Sequence, residues 1–374
     1  MRLALLTNNR LPPREGVARH VLETGRRLAR RGHEVTILAR GHGLAGRELW
    51  VDGVRLVERP DYPLSPLRHL SDRAVLGRWL AAGADGADLI HVHLPLLPPL
   101  PTRAPLMVTF HSPMLTDSAA IHEGGLSPVV RKLTARLVSR RFEDWYLRHA
   151  NRIVAVSRGV RDELALAYGV PARHMEVVPN GVDTEFFRFA PMAGREPKIL
   201  YVGRLHYRKG LFRLLEAMAW LKSRDLQLVL AGEGPLLGAL TRHAISLGLG
   251  AKVRFVGFLE REALRRELET AACVVNPADY ESGPLVLLEA MAAGAPVVST
   301  PTGLARELGP QPPILVAAPQ PTALAAAITA CLADPEAAAA RAIRARSLVE
   351  REYGWECVVD RLETIYGIRE RLAA

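Results

Sequence analysis

Cysteine is scarce in this 374-residue chain, and Cys273, Cys331 and Cys357 are odd in number and far apart. That spacing excludes a disulfide framework and a zinc knuckle, leaving three small hydrophobes to bury. Long apolar runs are missing too. Nothing approaches the ~18 residues a membrane-spanning helix needs, and the first apolar stretch, 3–6, meets Thr7 and Asn8 too soon for a signal peptide. The expected compartment is the cytoplasm. Lysine is the third scarcity, supplying five of 49 basic residues.

The net charge of +10 is uneven: residues 1–190 hold 27 basic and 19 acidic side chains, and residues 191–374 hold 22 and 20. Such a surplus suits nucleic acid, an anionic membrane surface or an acidic substrate; the bland alternative is a genomic arginine bias. His91 and His93 are close enough to suggest a metal. They alternate along an apolar strand with no acidic neighbour, so a packed or loop-lining role is favoured over ligation.

With 49% hydrophobic residues the chain can bury a large core, and its length suits two domains. Apolar runs at 3–7, 34–39, 88–93, 106–111 and 152–157 read as strands, with helical spacing at Val17, Val21, Leu22 and Leu28 and a long helix over 131–149. Segment 180–198, with Pro191, Gly194 and Pro197, reads as a linker. The rhythm then restarts, with strands at 198–202, 226–231, 253–256, 273–276 and 296–299. Helices fall at 211–223, 235–247, 261–270 and 284–293, then at 322–333 and 355–372. The pattern predicts an α/β protein of two tandem Rossmann-like, doubly wound domains, 1–190 and 191–354, facing a cleft. The fold alone names no ligand.

Three loops carry chemistry. The first is Tyr280-Glu281-Ser282-Gly283-Pro284, ahead of a helix that Pro284 would open and Gly294 would close. That helix start aims free N–H groups and a positive dipole end at the strand edge, where phosphate is welcome. Glu289, on the second turn, is costly to bury without a task such as accepting from ribose hydroxyls; the alternative is a solvent-facing side chain. The second loop, Gly203-Arg204-Leu205-His206-Tyr207-Arg208-Lys209-Gly210, offers Arg204 and Lys209 as a clamp for a diphosphate. Lys209 is the more telling because lysine is rare here. The third, Ala231-Gly232-Glu233-Gly234-Pro235, lacks the glycine a dinucleotide fingerprint needs, since Gly238 falls one residue late.

The order Gly-Arg-(four residues)-Lys-Gly, Gly-Glu-Gly-Pro, Glu-(seven residues)-Glu-Ala-Met-Ala resembles the retaining glycosyltransferases of family 4, which have the GT-B fold. The resemblance extends to Asp88-Leu89-Ile90-His91-Val92-His93, Thr109-Phe110-His111, Pro179-Asn180-Gly181-Val182-Asp183 and Trp355-Glu356, and covers nearly the whole chain. It implies that Arg204 and Lys209 bind the donor diphosphate and Glu289 the ribose. Glu281 would hold the transferred sugar, with Gly283, Pro284 and Leu285 offering backbone contacts, and Phe258 and Leu259 would lie near the base. In the first half, Gly16 would belong to a loop closing on the donor and His111 would line the sugar. The last helix, 355–374, would cross back to the first domain.

The implied reaction is metal-independent transfer of a hexose from a nucleotide sugar, UDP-linked first and GDP-linked next, to a hydroxyl acceptor that is a glycolipid, lipid-linked or a small molecule. No cofactor, metal or nucleic acid enters this expectation. Arginines 131, 136, 140 and 141 with Lys132, beside Leu133, Leu137 and Trp145, would suit docking at the inner face of a membrane. Three departures are Glu15 before Gly16, Gly283-Pro284 after the first glutamate, and Gly303-Leu304 where a glycine pair is usual. The alternative on the same fold is a non-hydrolysing nucleotide-sugar epimerase, and a third reading is a non-catalytic nucleotide-binding scaffold.

Overall fold

In the computed structural model, residues 1–11, 13, 16–42, 46–61, 74–77, 79, 86–119 and 133–367 are described. The chain divides into two units, one drawn from 1–119, 124–180 and 355–374, the other spanning 181–354.

In the first unit, strands β1 (Arg2–Arg10), β2 (Glu34–Arg40), β3 (Arg47–Val51), β4 (Val54–Arg59), β5 (Leu89–Leu94), β6 (Leu106–Phe110), β7 (Arg152–Ala155) and β8 (Met175–Val177) form one sheet. Their order is β3-β4-β2-β1-β5-β6-β7-β8, parallel throughout except β3. Helices α1 (Gly16–Arg30), α2 (Met114–Ala119), α3 (Arg140–His149) and α4 (Arg158–Tyr168) accompany it. Because side chains alternate along a strand, β1 serves two cores. Leu3 and Leu5 pack with Val21 and Leu28 of α1, while Ala4 and Leu6 pack with Ile90, Val108 and Tyr146. The β3–β4 hairpin, absent from the sequence reading, turns on Asp52 and Gly53, both at positive φ. Asp-Gly is a strong hairpin signal.

The second sheet is wholly parallel, in order β11-β10-β9-β12-β13-β14. Its strands are β9 (Glu196–Val202), β10 (Gln227–Ala231), β11 (Val253–Gly257), β12 (Ala271–Asn276), β13 (Val297–Ser299) and β14 (Leu315–Val316). Helices α5 (Leu211–Trp220), α6 (Leu237–Ser246), α7 (Arg261–Thr270), α8 (Leu285–Ala292), α9 (Leu304–Glu307), α10 (Pro321–Ala333) and α11 (Pro335–Glu352) follow. Helix α11 was not expected. It buries only Ala338, Ala342, Ala345 and Val349, a stripe too small to stand out. The last helix, α12 (Trp355–Ile365), belongs to the first unit, where Trp355, Val358, Val359 and Leu362 share a core with α1.

Several expectations need correcting. The presumed linker is packed structure: Val182 and Phe187 are buried in the second unit's core, and Arg195 donates to the carbonyls of Leu268 (2.8 Å) and Ala271 (2.9 Å). The unit boundary therefore falls at 180/181, ten residues before the expected one. Over 131–149 the helix passes through a π-turn at Ala135–Ser139 before α3, and residues 131 and 132 lie outside the described residues, as does Glu15. Cys273 and Cys331 are buried, but Cys357 is only half-buried. Among the described residues no single helix is long and apolar enough to cross a membrane.

Candidate active site

In the second sheet β9 and β12 are neighbours, with β10 beyond one and β13 beyond the other. The chain thus winds away from this point in both directions, and the crevice at the strands' carboxyl ends is the usual ligand position. Loop 203–210 leaves β9 and loop 277–284 leaves β12. They are tied together: the Asp279 N–H donates to the Arg208 carbonyl (2.8 Å), and Arg213 donates to the Pro277 carbonyl (3.0 Å) and the Asp279 carboxylate (2.7 Å). Gly210, at φ +64°, is pressed on Pro277, whose carbonyl oxygen would lie 2.0 Å from an added Cβ.

This fastening brings Lys209 and Glu281 together, with Lys209 Nζ donating to Glu281 Oε1. Their side chains are 12% and 14% exposed. Burial pushes the Lys209 ammonium below its ordinary value, against the upward pull of Glu281. The Gly-Glu-Gly turn braces the same loop from behind. A Cβ at Gly232 would meet Gly203 O at 1.9 Å, one at Gly234 would meet Leu205 O at 2.2 Å, and the Leu205 N–H donates to the Glu233 carbonyl at 2.9 Å. Arg204 is exposed on that loop, its carbonyl accepting from the Tyr201 hydroxyl at 3.0 Å.

Pro284 proves to be the N-cap of α8 rather than its first helical residue, because its ψ of 110° is extended. Glu289, on the second turn, is 3% exposed, which rules out the solvent-facing alternative. Gly303 lies against the same loop: an added Cβ would be 3.0 Å from Glu281 O and 3.1 Å from Pro284 Cδ. The unpaired glycine here thus supports the Glu281 loop. Gly283, Pro284 and Leu285 are half-buried, as are Phe258 and Leu259 beyond β11, two strands from β9.

Gly16 and His111 lie in the first unit, Gly16 at the exposed start of α1 and His111 just past β6. Around His111 is a cluster that the sequence only hinted at. The β5–β6 register pairs His91 with Met107 and His93 with Thr109. Each histidine bonds one pleat further on: His91 Nε2 to Thr109 Oγ1 at 2.7 Å, and His93 Nδ1 to His111 Nε2 at 3.2 Å. His91 Nδ1 meets the Tyr366 hydroxyl at 2.8 Å, and the His91 and His93 rings are 4.1 Å apart. His20, one turn into α1, sets its edge to His111 at 4.9 Å. Burial holds all four imidazoles below their ordinary value of 6.5, His20 at about 4 and His91 at about 3.

His20, His93 and His111 each bring one ring nitrogen within 4.8 Å of the others. Zinc bonds of about 2.0–2.1 Å put tetrahedral ligand nitrogens about 3.3–3.4 Å apart. No carboxylate joins the group among the described residues, so a dication would be enclosed without a counter-charge. The cluster fits neutral hydrogen-bonding imidazoles better than it fits a cation.

Solved structures give the fold. The sucrose-phosphate synthase of Thermosynechococcus elongatus matches with TM-score 0.80 at 24% identity, over 100% of this chain and 99% of that one. HepE of Anabaena, in complex with UDP and glucose, matches with TM-score 0.73 at 18% identity, over 98% and 99%. These likenesses show the GT-B fold of glycosyltransferases.

Sequence gives the family. Residues 182–348 match the model for glycosyl transferases group 1, and residues 14–186 that for glycosyltransferase family 4. A GDP-mannose-dependent α-(1-6)-phosphatidylinositol monomannoside mannosyltransferase of Mycolicibacterium smegmatis is 30% identical over 98% of this chain and 99% of its own. A glycogen synthase of Mycobacterium tuberculosis is 29% identical over 95% and 92%. The chain belongs to the group 1, family 4 glycosyltransferases.

Proposed function

We propose that this glycosyltransferase moves a hexose, with retention, from a nucleoside diphosphate sugar to a hydroxyl acceptor. The observation that carries the reading is the enclosed Lys209–Glu281 pair beside the start of α8, with Glu289 buried one turn further on. Lys209 and Arg204 stabilise negative charge on the departing diphosphate, aided by the helix N-terminus. Glu281 holds sugar hydroxyls, Glu289 the ribose, and Gly283, Pro284 and Leu285 line the phosphate with backbone. Phe258 and Leu259 border the base, Gly16 belongs to the donor loop, and His111 lines the transferred sugar. The acceptor attacks from the face that the diphosphate leaves, and the leaving phosphate takes its proton, so no metal and no separate base are needed.

UDP-sugars are favoured and GDP-sugars come next; the GDP-mannose named for the mycobacterial relative supports testing both. A thermal-shift panel of UDP, GDP and ADP sugars identifies the donor, since a ligand at 100 times its Kd stabilises by roughly 2.7 kcal/mol. Stabilisation by none of them sinks the reading, and a product of inverted anomeric configuration by NMR removes retention. Donor turnover without an acceptor would point to the epimerase instead.

Exposed Leu133 and Leu137 lie beside exposed Arg136, Arg140 and Arg141, which supports a lipid-linked acceptor at an anionic surface. Co-sedimentation with anionic liposomes that survives charge reversal of the three arginines would refute this part.

A further inference from the structure

His93 and His111 share one hydrogen bond, and burial decides which of them gives the proton. Both rings are enclosed, at 0% and 5% exposure, and both are held neutral by burial beside other imidazoles. A neutral imidazole has one N–H and one bare nitrogen. Across the 3.2 Å between His93 Nδ1 and His111 Nε2, one ring must donate and the other accept.

Two arrangements satisfy that bond. If His111 donates from Nε2, His93 carries its proton on Nε2, a buried atom with no hydrogen-bond partner among the described residues. An enclosed N–H would then be left unmade. If His93 donates from Nδ1, the unpartnered Nε2 is a bare acceptor instead. On the backbone, orphaned buried N–H groups are rarer than under-satisfied acceptors, and we extend the same preference to the imidazole. The second arrangement therefore wins, and it leaves His111 protonated at Nδ1.

The geometry points to His93 as a positioning residue that locks His111 in its Nδ1–H form, so that His111 offers an N–H donor to an oxygen of a bound sugar. The inference rests on the assignment of His111 to the sugar made above. His93 is itself packed in place: the His91 ring lies 4.1 Å from it, tilted by 35°, and is pinned by Thr109 and by Tyr366, beyond the end of α12. The equal offset of the His91–Thr109 and His93–His111 bonds makes this a two-rung ladder rising to the carboxyl ends of β5 and β6.

The test uses the full chain with nitrogen-15 histidine, His111 being assigned by its loss in His111→Gln. Wild type and His93→Asn, whose amide NH2 reproduces the Nδ1–H donor, should both show His111 protonated at Nδ1. His93→Leu should move that proton toward Nε2. In turnover with the donor found by thermal shift, His93→Leu should lower kcat about tenfold with less change in donor KM, and His93→Asn should recover most of it. An Nε2-protonated His111 in wild type, or an unmoved tautomer in His93→Leu, overturns the lock. So does a His93→Asn variant that matches wild type in Tm and yet is as slow as His93→Leu. A wild type that turns over no nucleotide sugar refutes the proposed function instead, and the spectrum still decides the tautomer.

Discussion

Both units place polar groups at the carboxyl ends of central parallel strands, yet they do so with opposite electrostatics. The second unit encloses a cation and an anion, Lys209 and Glu281, between two loops. The first encloses four imidazoles, His20, His91, His93 and His111, that burial keeps neutral. The difference shows that the strand-end position dictates polarity and leaves charge to the residues placed there. A paired ammonium can be redirected to an incoming phosphate; neutral imidazoles offer hydrogen bonds without charge, at the expense of acid sensitivity.

That sensitivity gives the largest expected effect. The folded-state values of the four histidines lie below the ordinary 6.5, so between pH 6.5 and about 4 the unfolded chain binds protons that the folded one refuses. Their contribution is complete above pH 6.5 and is lost as pH falls, at about 1.4 kcal/mol per pH unit for each proton. Several kcal/mol should go between pH 6.5 and 5, all from the first unit. Hydrogen exchange, corrected for its intrinsic pH dependence, should show β5 and β6 losing protection over this range while β9 and β12 keep theirs. Equal loss in both sheets would erase the contrast.

How much of this contrast is legible in the sequence depends on how local its pieces are. Arg204 and Lys209 lie in one loop, and Glu281 and Gly283 in another, so composition and spacing within each loop suffice to nominate them. The contact of Lys209 with Glu281 spans 72 positions and depends on β9 and β12 being neighbours, which no local pattern states. His91 and His93 are visible as alternate residues of a strand, and Thr109 and His111 repeat that spacing eighteen positions later. The Tyr366 partner of His91 is 275 positions away and comes in only because α12 packs with α1, the helix that also brings in His20. The Asp52-Gly53 hairpin carries a local signal, an Asp-Gly turn between two strands, whereas α11, resting on alanines, has little signal to read.

Lys209→Ala strikes the charged side of the comparison. Removing one preorganised donor to a developing anion typically costs 10²–10³ in rate, and we expect that loss in kcat/KM for the nucleotide sugar. It also strands Glu281. Since both side chains keep some exposure, the destabilisation should fall at the low end of about 3–5 kcal/mol. Turnover within threefold of wild type would remove Lys209 from the diphosphate clamp.

The backbones around the two sites should differ in tolerance as well. Gly232→Ala forces a Cβ to 1.9 Å from the Gly203 carbonyl oxygen at φ +140°, against backbone that has no side chain to swing away. Overpacking and strain together predict about 3 kcal/mol or more. Gly25→Ala in α1 meets side chains alone, the tip of Ile37 at 2.9 Å and Leu5 Cδ1 at 3.4 Å, and gains helix propensity, so it should stay within about 1 kcal/mol of neutral. Thermal denaturation separates them, at about 2–4 °C per kcal/mol. Similar shifts for both would mean that loop 203–210 is less rigidly braced than its glycines suggest.

Glu143 supplies the smallest effect and sharpens the first. Buried at 1% exposure, it accepts from the Met114 N–H at 2.9 Å and from the Tyr168 hydroxyl, yet burial outweighs both bonds and raises its carboxyl to about 7. A folded value above the ordinary 4.5 means that between pH 4.5 and 7 the folded state holds the extra proton, so this group favours the fold at low pH, against the histidines. Glu143→Gln keeps one acceptor, sets an NH2 against the other donor at about 1 kcal/mol, and abolishes the opposing titration. The unfolding free energy of wild type minus that of the variant, measured in urea, should therefore be more positive at pH 5 than at pH 7, by at most about 1.4 kcal/mol per pH unit, with the variant the more stable of the two at pH 7. A difference that is constant, or more positive at pH 7, would show that Glu143 is ionised throughout and that the first unit's acid response belongs to its histidines alone.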